Sequence, residues 1–324
     1  SRSIVEGAKW PRLFVRPLNL IRTHGIAMDV FITGGTGFIG SALCQALQQR
    51  GDKLTVLSRD PAAARRRLGT EVEIVASSSV LTHTPFDAVV NLAGLPIADR
   101  RWSESRKAAL VASRVAVTEA LVSAMEQATV RPRVLVSGSA IGYYGDRGNR
   151  LVDEATEPQQ EFTHKLCAQW EQAAQGAEAL GVRVCRLRIG LVIGPDGGFL
   201  QRMLPAFKLG MGGPLGDGEQ WMSWVHRYDL VRMILYLLDH DTLQGPFNGT
   251  APRPVRNSEF THTLARVLNR PARMRVPEPA LRLALGEMSR LLLTGQRVNP
   301  LRLREAGFEF TFDRLDAALR DVVG

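Results

Sequence analysis

Cysteine is scarce: the 324-residue chain holds only Cys44, Cys167 and Cys185. An odd count without metal-ligand spacing, each thiol in an apolar stretch, argues against a disulfide framework and for buried free thiols in a reducing, cytoplasmic setting. No histidine and carboxylate cluster has metal-ligand spacing, so no metal is expected. Tyrosine is nearly as rare, at positions 143, 144, 228 and 236, which limits any phenol chemistry to four candidates. No apolar run reaches the roughly 18 residues of a membrane span, and no membrane partner is expected. Acids are in deficit, 32 Asp and Glu against 41 Lys and Arg, for a net charge of +9. The excess is mostly arginine dispersed along the chain, without a glycine-and-aromatic RNA motif or a helix-turn-helix. No nucleic-acid partner is therefore expected.

What is present is an ordinary globular mixture, 45% apolar and 23% charged, without internal repeats or low-complexity tracts. Residues 1–27 carry five Lys or Arg against one acid. Prolines interrupt them without a clean amphipathic repeat, so they read as an extension ahead of the fold, with a transit peptide as the second reading. From Met28 onward short β-rich runs alternate with helical ones. DVFIT (29–33), KLTVLS (53–58), EVEIV (71–75), DAVVNLAG (87–94), RVLVSGS (133–139) and VRVCRLRIG (182–190) are near-continuous apolar runs, as strands buried on both faces should be. Between them SALCQALQQR, the long stretch from Ser103 and the stretch from Glu161 to Leu180 show three- and four-residue apolar spacing. The pattern predicts an α/β protein, a Rossmann-like doubly wound parallel sheet over 28–190. A smaller C-terminal substrate region over 191–324 is expected to interleave with the sheet near 221–250.

The first strand runs directly into TGGTGFIGSAL. Glycines between a strand and a helix let the backbone approach a diphosphate and aim the helix N-terminus at it. Gly34, Thr36, Gly37, Phe38, Ile39 and Gly40 are thus candidate dinucleotide contacts. About 20 residues on, LTVLSRD places Ser58 and Arg59 at the end of the second strand. Serine and arginine accept a 2′-phosphate where an acid would repel it, so NADP(H) is favoured over NAD(H). Asp60 would take the acidic role if the strand ran two residues further. Arg65, Arg66 and Arg67 point around a helix and read as a solvated face.

GGTGFIG, NLAG and the helical lysine together resemble the extended short-chain dehydrogenase/reductase superfamily, in its epimerase/dehydratase branch. LRIGLVIGPDGG, GDGEQWMSWVHRYDLVRMILYLL and GPFNGTAPRPVRNSEFTHTLA resemble that branch's later segments. NLAGLPIADRRW, SGSAIGYYGDRG, EFTHKLCAQWE and GQRVNPLRLREAGFEFTFDRLDAAL are similar to its atypical epimerase-family group of the YfcH type, which carries a small C-terminal domain of unknown function. The resemblance covers nearly the whole chain after Met28. It implies cofactor contacts at Leu92, Ala93, Gly94 and Ile189, and Lys165 as the residue holding the nicotinamide ribose. In catalytically active relatives a tyrosine precedes that lysine by four residues; here the position is Glu161. Glutamate four residues before lysine on a helix is otherwise a favourable ion pair worth about 0.2–0.5 kcal/mol. The resemblance also makes Ser139 the group that bonds a substrate oxygen, and leaves open whether Tyr143 or Tyr144 replaces the missing phenol.

The loop GLPIADRRWSES sets Asp99, Arg100, Arg101 and Trp102 before a Ser103 helix cap. Arg100 could bind an anion and Trp102 could stack on a ring, or the tryptophan anchors the loop. His226 is a substrate-side candidate or a hydrogen-bonded residue at a helix start. Two functions follow. One is an NADP-dependent oxidoreductase or epimerase acting on a small polar or nucleotide-linked molecule; the other is a non-catalytic NADPH-binding sensor or scaffold. Relatives imply a homodimer through the helices after the fourth and fifth strands.

Overall fold

The computed structural model describes residues 27–323, so the expected extension over 1–27 lies, apart from Ala27, outside the described residues. Seven strands form one parallel sheet: β1 (Asp29–Thr33), β2 (Lys53–Leu57), β3 (Glu73–Val75), β4 (Ala88–Asn91), β5 (Val134–Ala140), β6 (Arg183–Ile189) and β7 (Gly245–Gly249). Their order is 3-2-1-4-5-6-7, every pairing parallel. The order reverses at β1, and crevices for ligands open at such a switch point, beyond the carboxyl ends of the strands. The six strands expected from sequence are all present. β7 comes from the C-terminal half and closes the sheet against β6. Its sequence, GPFNG, is a poor strand former, tolerated because β7 is an edge where proline need not donate.

Both faces of the sheet are covered, which is why the strands read as apolar runs. Val30 and Ile32 point to one side, into a core with Leu43, Leu47, Val56, Val90 and Leu230. Phe31, one residue out of phase, packs on the other side with Val89, Leu121, Met125, Leu135 and Val184. That alternation is the pleat of period two. The covering helices are α1 (Gly40–Gln49), α2 (Pro61–Leu68), α3 (Glu104–Glu126), α4 (Phe162–Gln175), α5 (Gly198–Lys208) and α6 (Arg227–Asp239). Ser103 caps α3, its hydroxyl accepting from the Arg106 amide at 3.1 Å. The helical stretch expected to run to Leu180 changes to a 3₁₀ turn at Gly176 and stops at Gly181, whose φ of 78° is left-handed.

Beyond β7, α7 (Asn257–Val267) and the terminal helix Leu315–Val323 carry Phe260, Leu264, Ala318 and Leu319 into the main core. Between them a strap with helix α8 (Glu278–Leu285) leads to a two-residue strand, Arg297–Val298, paired with Leu151–Val152.

Candidate functional site

The turn between β1 and α1 has no room for a side chain at Gly34 or Gly40. Gly34 has a φ of 71°, and a Cβ there would sit 2.5 Å from the Leu92 carbonyl oxygen; one on Gly40 would strike the Gly34 carbonyl oxygen. The Thr33 hydroxyl fixes the neighbouring segment, donating to Asn91 Oδ1 at 2.6 Å and accepting from the Ala93 amide at 3.2 Å. α1 begins without a side-chain cap; the Ser41 amide donates to the Gly37 carbonyl at 3.0 Å, which leaves the Gly40 and Ala42 amides to face a ligand. Close backbone, open amides and the Leu92–Gly94 segment alongside make a cradle that fits a dinucleotide diphosphate. Thr36, Phe38 and Ile39 line it half-buried, and Gly37 is exposed.

β2 ends at Leu57, which settles the role of Asp60. Its carboxylate caps α2, accepting from the Ala63 amide at 3.0 Å. Ser58 Oγ donates to the Asp60 carbonyl at 3.0 Å. Arg59 is exposed and forms no ion pair among the described residues, and Arg65, Arg66 and Arg67 are exposed on α2.

At the end of β5 lies a buried polar network. Ser139 Oγ donates to Glu171 Oε1 at 2.8 Å. Arg188 grips the same carboxylate through Nε at 2.8 Å and Nη2 at 2.9 Å, both side chains 3% exposed. Arg188 Nη1 donates to the Tyr144 hydroxyl at 3.0 Å, and that hydroxyl donates to Asn248 Oδ1 at 2.7 Å. Burial works against the Arg188 charge, but Glu171 more than offsets it and holds the guanidinium above its usual range. Burial also pushes the Tyr144 phenol up, only partly offset by Arg188.

This corrects two expectations. Tyr144 is fully buried as a strut between strands, unable to reach a ligand. Ser139, 2% exposed, directs its proton at Glu171 and away from the crevice. Tyr143 is half-buried, its ring 3.5 Å from the Arg188 guanidinium and edge-on to His164. Its hydroxyl has no hydrogen-bond partner among the described residues.

α4 corrects the register of the expected lysine. The helix buries His164, Leu166, Cys167, Trp170, Glu171 and Ala174. At 100° per residue that face is centred near Cys167, which puts Lys165 on the opposite side, and Lys165 is exposed. The inward pair four residues apart is Thr163 and Cys167. A Cβ on Gly142, in the turn before Tyr143, would lie 3.1 Å from Thr163 Cβ. The Cys167 thiol reaches Ser139 and the Ala140 backbone, and burial pushes it up to about 11. Nor does Glu161 pair with Lys165. It accepts from the Asp146 amide at 3.0 Å and from Arg290 at 2.7 Å.

A sequence profile of the NAD dependent epimerase/dehydratase family matches residues 30–248, and a domain of unknown function, DUF1731, matches 276–322. The chain belongs to the NAD dependent epimerase/dehydratase family. The chloroplastic epimerase family protein SDR39U1 homolog of Arabidopsis thaliana is 41% identical over 91% of this chain and 87% of its own. The crystal structure of human epimerase family protein SDR39U1 with NADPH superposes with a TM-score of 0.84 at 33% identity, covering 91% of this chain and 99% of that one. UDP-glucuronic acid 4-epimerase from Bacillus cereus, solved with NAD, shares the fold with a TM-score of 0.72 at 17% identity, covering 91% of this chain and 95% of that one.

In this epimerase-family chain the domain of unknown function supplies the strap, which ion pairs and a backbone bond fasten across the crevice. Arg290 meets Glu161, Glu287 meets Lys107 at 2.5 Å, and Arg101 donates to the Leu283 carbonyl at 3.2 Å. Trp102 anchors its own loop, its indole N–H on the Ile97 carbonyl at 2.9 Å and its ring edge-on to Phe162. Arg100 is exposed beside it. His226 is not in the crevice: it is 2% exposed, stacks on Phe312 at 4.0 Å and lies 3.3 Å from Asp321. Its Nδ1 accepts from the Tyr228 amide, capping α6. Ile189 is half-buried at the end of β6. Sequence reasoning missed a stack of Arg256 and Arg297 on Trp221, at 4.1 and 4.8 Å. It adjoins the Tyr143 turn, since Gln296 donates to the Gly145 carbonyl at 2.8 Å.

Proposed function

We propose that the chain binds NADP(H) in the β1–α1 cradle and acts as an oxidoreductase or epimerase on a small polar or nucleotide-linked molecule in the crevice beneath the strap. The observation that carries the cofactor reading is the pairing of a glycine-floored cradle with an Arg59 that forms no ion pair among the described residues, while the one nearby acid, Asp60, caps a helix. The NADPH in the human relative's structure supports the same choice. Gly34, Gly37 and Gly40 would admit the diphosphate, Ser58 and Arg59 the 2′-phosphate, and Leu92 to Gly94 would flank the nucleotide. Bound there, the nicotinamide supplies or accepts a hydride. The chain's share would be proton handling, a role for Tyr143 that its half-buried phenol, without a hydrogen-bond partner among the described residues, supports. Arg256, Trp221 and Arg297 suit an anionic, ring-bearing substrate.

A second reading, an NADPH-binding sensor without turnover, draws on the Ser139 proton held by Glu171 and on Thr163 and Cys167 at the inward helical positions. One experiment separates them. NADPH-loaded protein is challenged with metabolite pools; consumption abolished by Tyr143→Phe supports the enzyme, and tight binding without consumption supports the sensor. Arg59→Ala should weaken NADPH far more than NADH, and equal losses would refute the 2′-phosphate assignment.

The face of α3 and α4 away from the sheet is where we place a second copy of the chain. A cavity of about 570 Å³ there is lined by Val115, Glu119, Val122, Gln169, Gln172 and Ala173. α3 is long and apolar enough to cross a membrane by length and composition, yet only 28% of its most apolar window is buried within the chain. Sedimentation of the purified protein tests this, and a monomer at micromolar concentration would refute it.

A further inference from the structure

The first residue of α6 is an arginine turned inward. Arg227 is 2% exposed. Its Nη1 donates to the Phe38 carbonyl at 3.3 Å, and its guanidinium lies 4.6 Å from the Phe38 ring centre. Phe38 belongs to the glycine-rich turn, 189 positions earlier in the chain. A second glycine turn, Gly194 to Gly198, packs around the same pair. A Cβ on Gly194 would sit 3.2 Å from Arg227 Nε, and one on Gly198 would sit 2.9 Å from the Phe38 ring. Three separate stretches of chain thus converge on one cation behind the start of α1.

Removing a guanidinium from water costs several kcal/mol, which the partners gathered around it must offset. The charge stays on at neutral pH: burial pushes Arg227 down to about 10. The exposed Asp196 favours it across the turn. What a fixed cation at this place can do, and leucine cannot, is add a positive charge to the field of open amides at the helix N-terminus.

We infer that Arg227 is a positioning residue for the dinucleotide diphosphate: it holds the glycine-rich turn through Phe38 and adds its charge to the anion site at the start of α1. The inference rests on the dinucleotide reading above. It concerns the part of the ligand that NADPH and NADH share, and so differs in kind from the role of Arg59.

The test is titration of the full chain with NADPH and with NADH over a range of salt concentration. Arg227→Met should weaken both nucleotides by a similar factor of about tenfold, and should flatten the fall of affinity with salt. Arg227→Lys should keep the salt dependence while losing about two- to threefold in affinity, because the charge remains and the planar fork does not. A packing role alone would lower the unfolding midpoint and leave the salt dependence as in the wild type. If Arg227→Met does not fold, Arg227→Gln, which keeps a donor for the Phe38 carbonyl and drops the charge, carries the same expectation. A folded, uncharged variant with both affinities within twofold of wild type, or with weakened affinity and unchanged salt dependence, overturns the inference. Wild-type protein that binds neither nucleotide overturns the dinucleotide reading instead.

Discussion

Glu171→Gln tests whether the polar cluster under the crevice is one unit. In the wild type, one carboxylate oxygen accepts from Ser139 and from Arg188 Nε, both at 2.8 Å, and the other accepts from Arg188 Nη2 at 2.9 Å. A glutamine keeps one acceptor and turns an NH₂ towards a guanidinium that can only donate. Arg188 is then a buried cation that has lost its counter-charge, with at most one amide oxygen, the Tyr144 hydroxyl and the Glu154 carbonyl at 3.3 Å to receive it. Breaking a buried pair by removing one partner costs about 3–5 kcal/mol, a large share of the roughly 5–15 kcal/mol that holds a domain folded. Urea unfolding should show the midpoint falling with the slope unchanged. Glu171→Leu combined with Arg188→Met should recover most of the loss, because the charge and its partner leave together. A single-variant loss below about 1 kcal/mol, or a double variant as unstable as the sum of the singles, would refute the reasoning.

Lys165→Ala should leave NADPH affinity within about twofold and stability within about 0.5 kcal/mol, since the side chain faces solvent; a larger loss of affinity would restore the lysine to the site. Glu154 is raised from its ordinary 4.5 by burial, against backbone hydrogen bonds from Asn248 and Arg302. Between 4.5 and that raised value the folded state binds more protons than the unfolded, so stability falls as pH rises through the window; Glu154→Gln should remove that part of the slope, and a difference curve flat with pH would contradict it. Glu161→Ala, which frees Arg290, should cost no more than about 1 kcal/mol because the pair is partly exposed. It should nonetheless speed proteolysis within 277–294, and an unchanged cleavage rate would show that Glu161 does not hold the strap.

Much of this was legible because it depends on local sterics. β1, β2, β4 and β5 read as strands since both faces of the sheet are dry, and Gly34 and Gly40 read as a cradle since no other residue fits against Leu92 and Gly34. The register of α4 was misread for a reason that is also physical. Spacing of four says that Glu161 and Lys165 share a face of the helix, but not which face turns inward. The missing signal lay in the apolar set Leu166, Cys167, Trp170 and Ala174, which points the helix at Ser139 through Cys167. The Glu171 and Arg188 pair had no such local mark, because partners 17 residues apart meet only once the helix lies on the sheet. The only hint was two arginines, Arg186 and Arg188, inside a strand otherwise built to be buried.

The altered α4 positions bear directly on what the crevice can do. A lysine at 167 would meet the Arg114 charge and a Glu171 carboxylate already bound through both oxygens to Arg188. Such a cation would be desolvated beside a carboxylate whose two oxygens are already committed to Arg188, so hosting the lysine of the catalytically active relatives there would mean rebuilding the network. The Cys167 thiol, held up at about 11, stays neutral at pH 7 and cannot stand in for it. The positive charge that would act on a phenol here comes from the strand instead: Arg188 lies 3.5 Å from the Tyr143 ring centre. Under the enzyme reading proposed above, proton handling would therefore draw on β6 and on the turn after β5, where Arg188 meets both the Tyr143 ring and the Tyr144 hydroxyl.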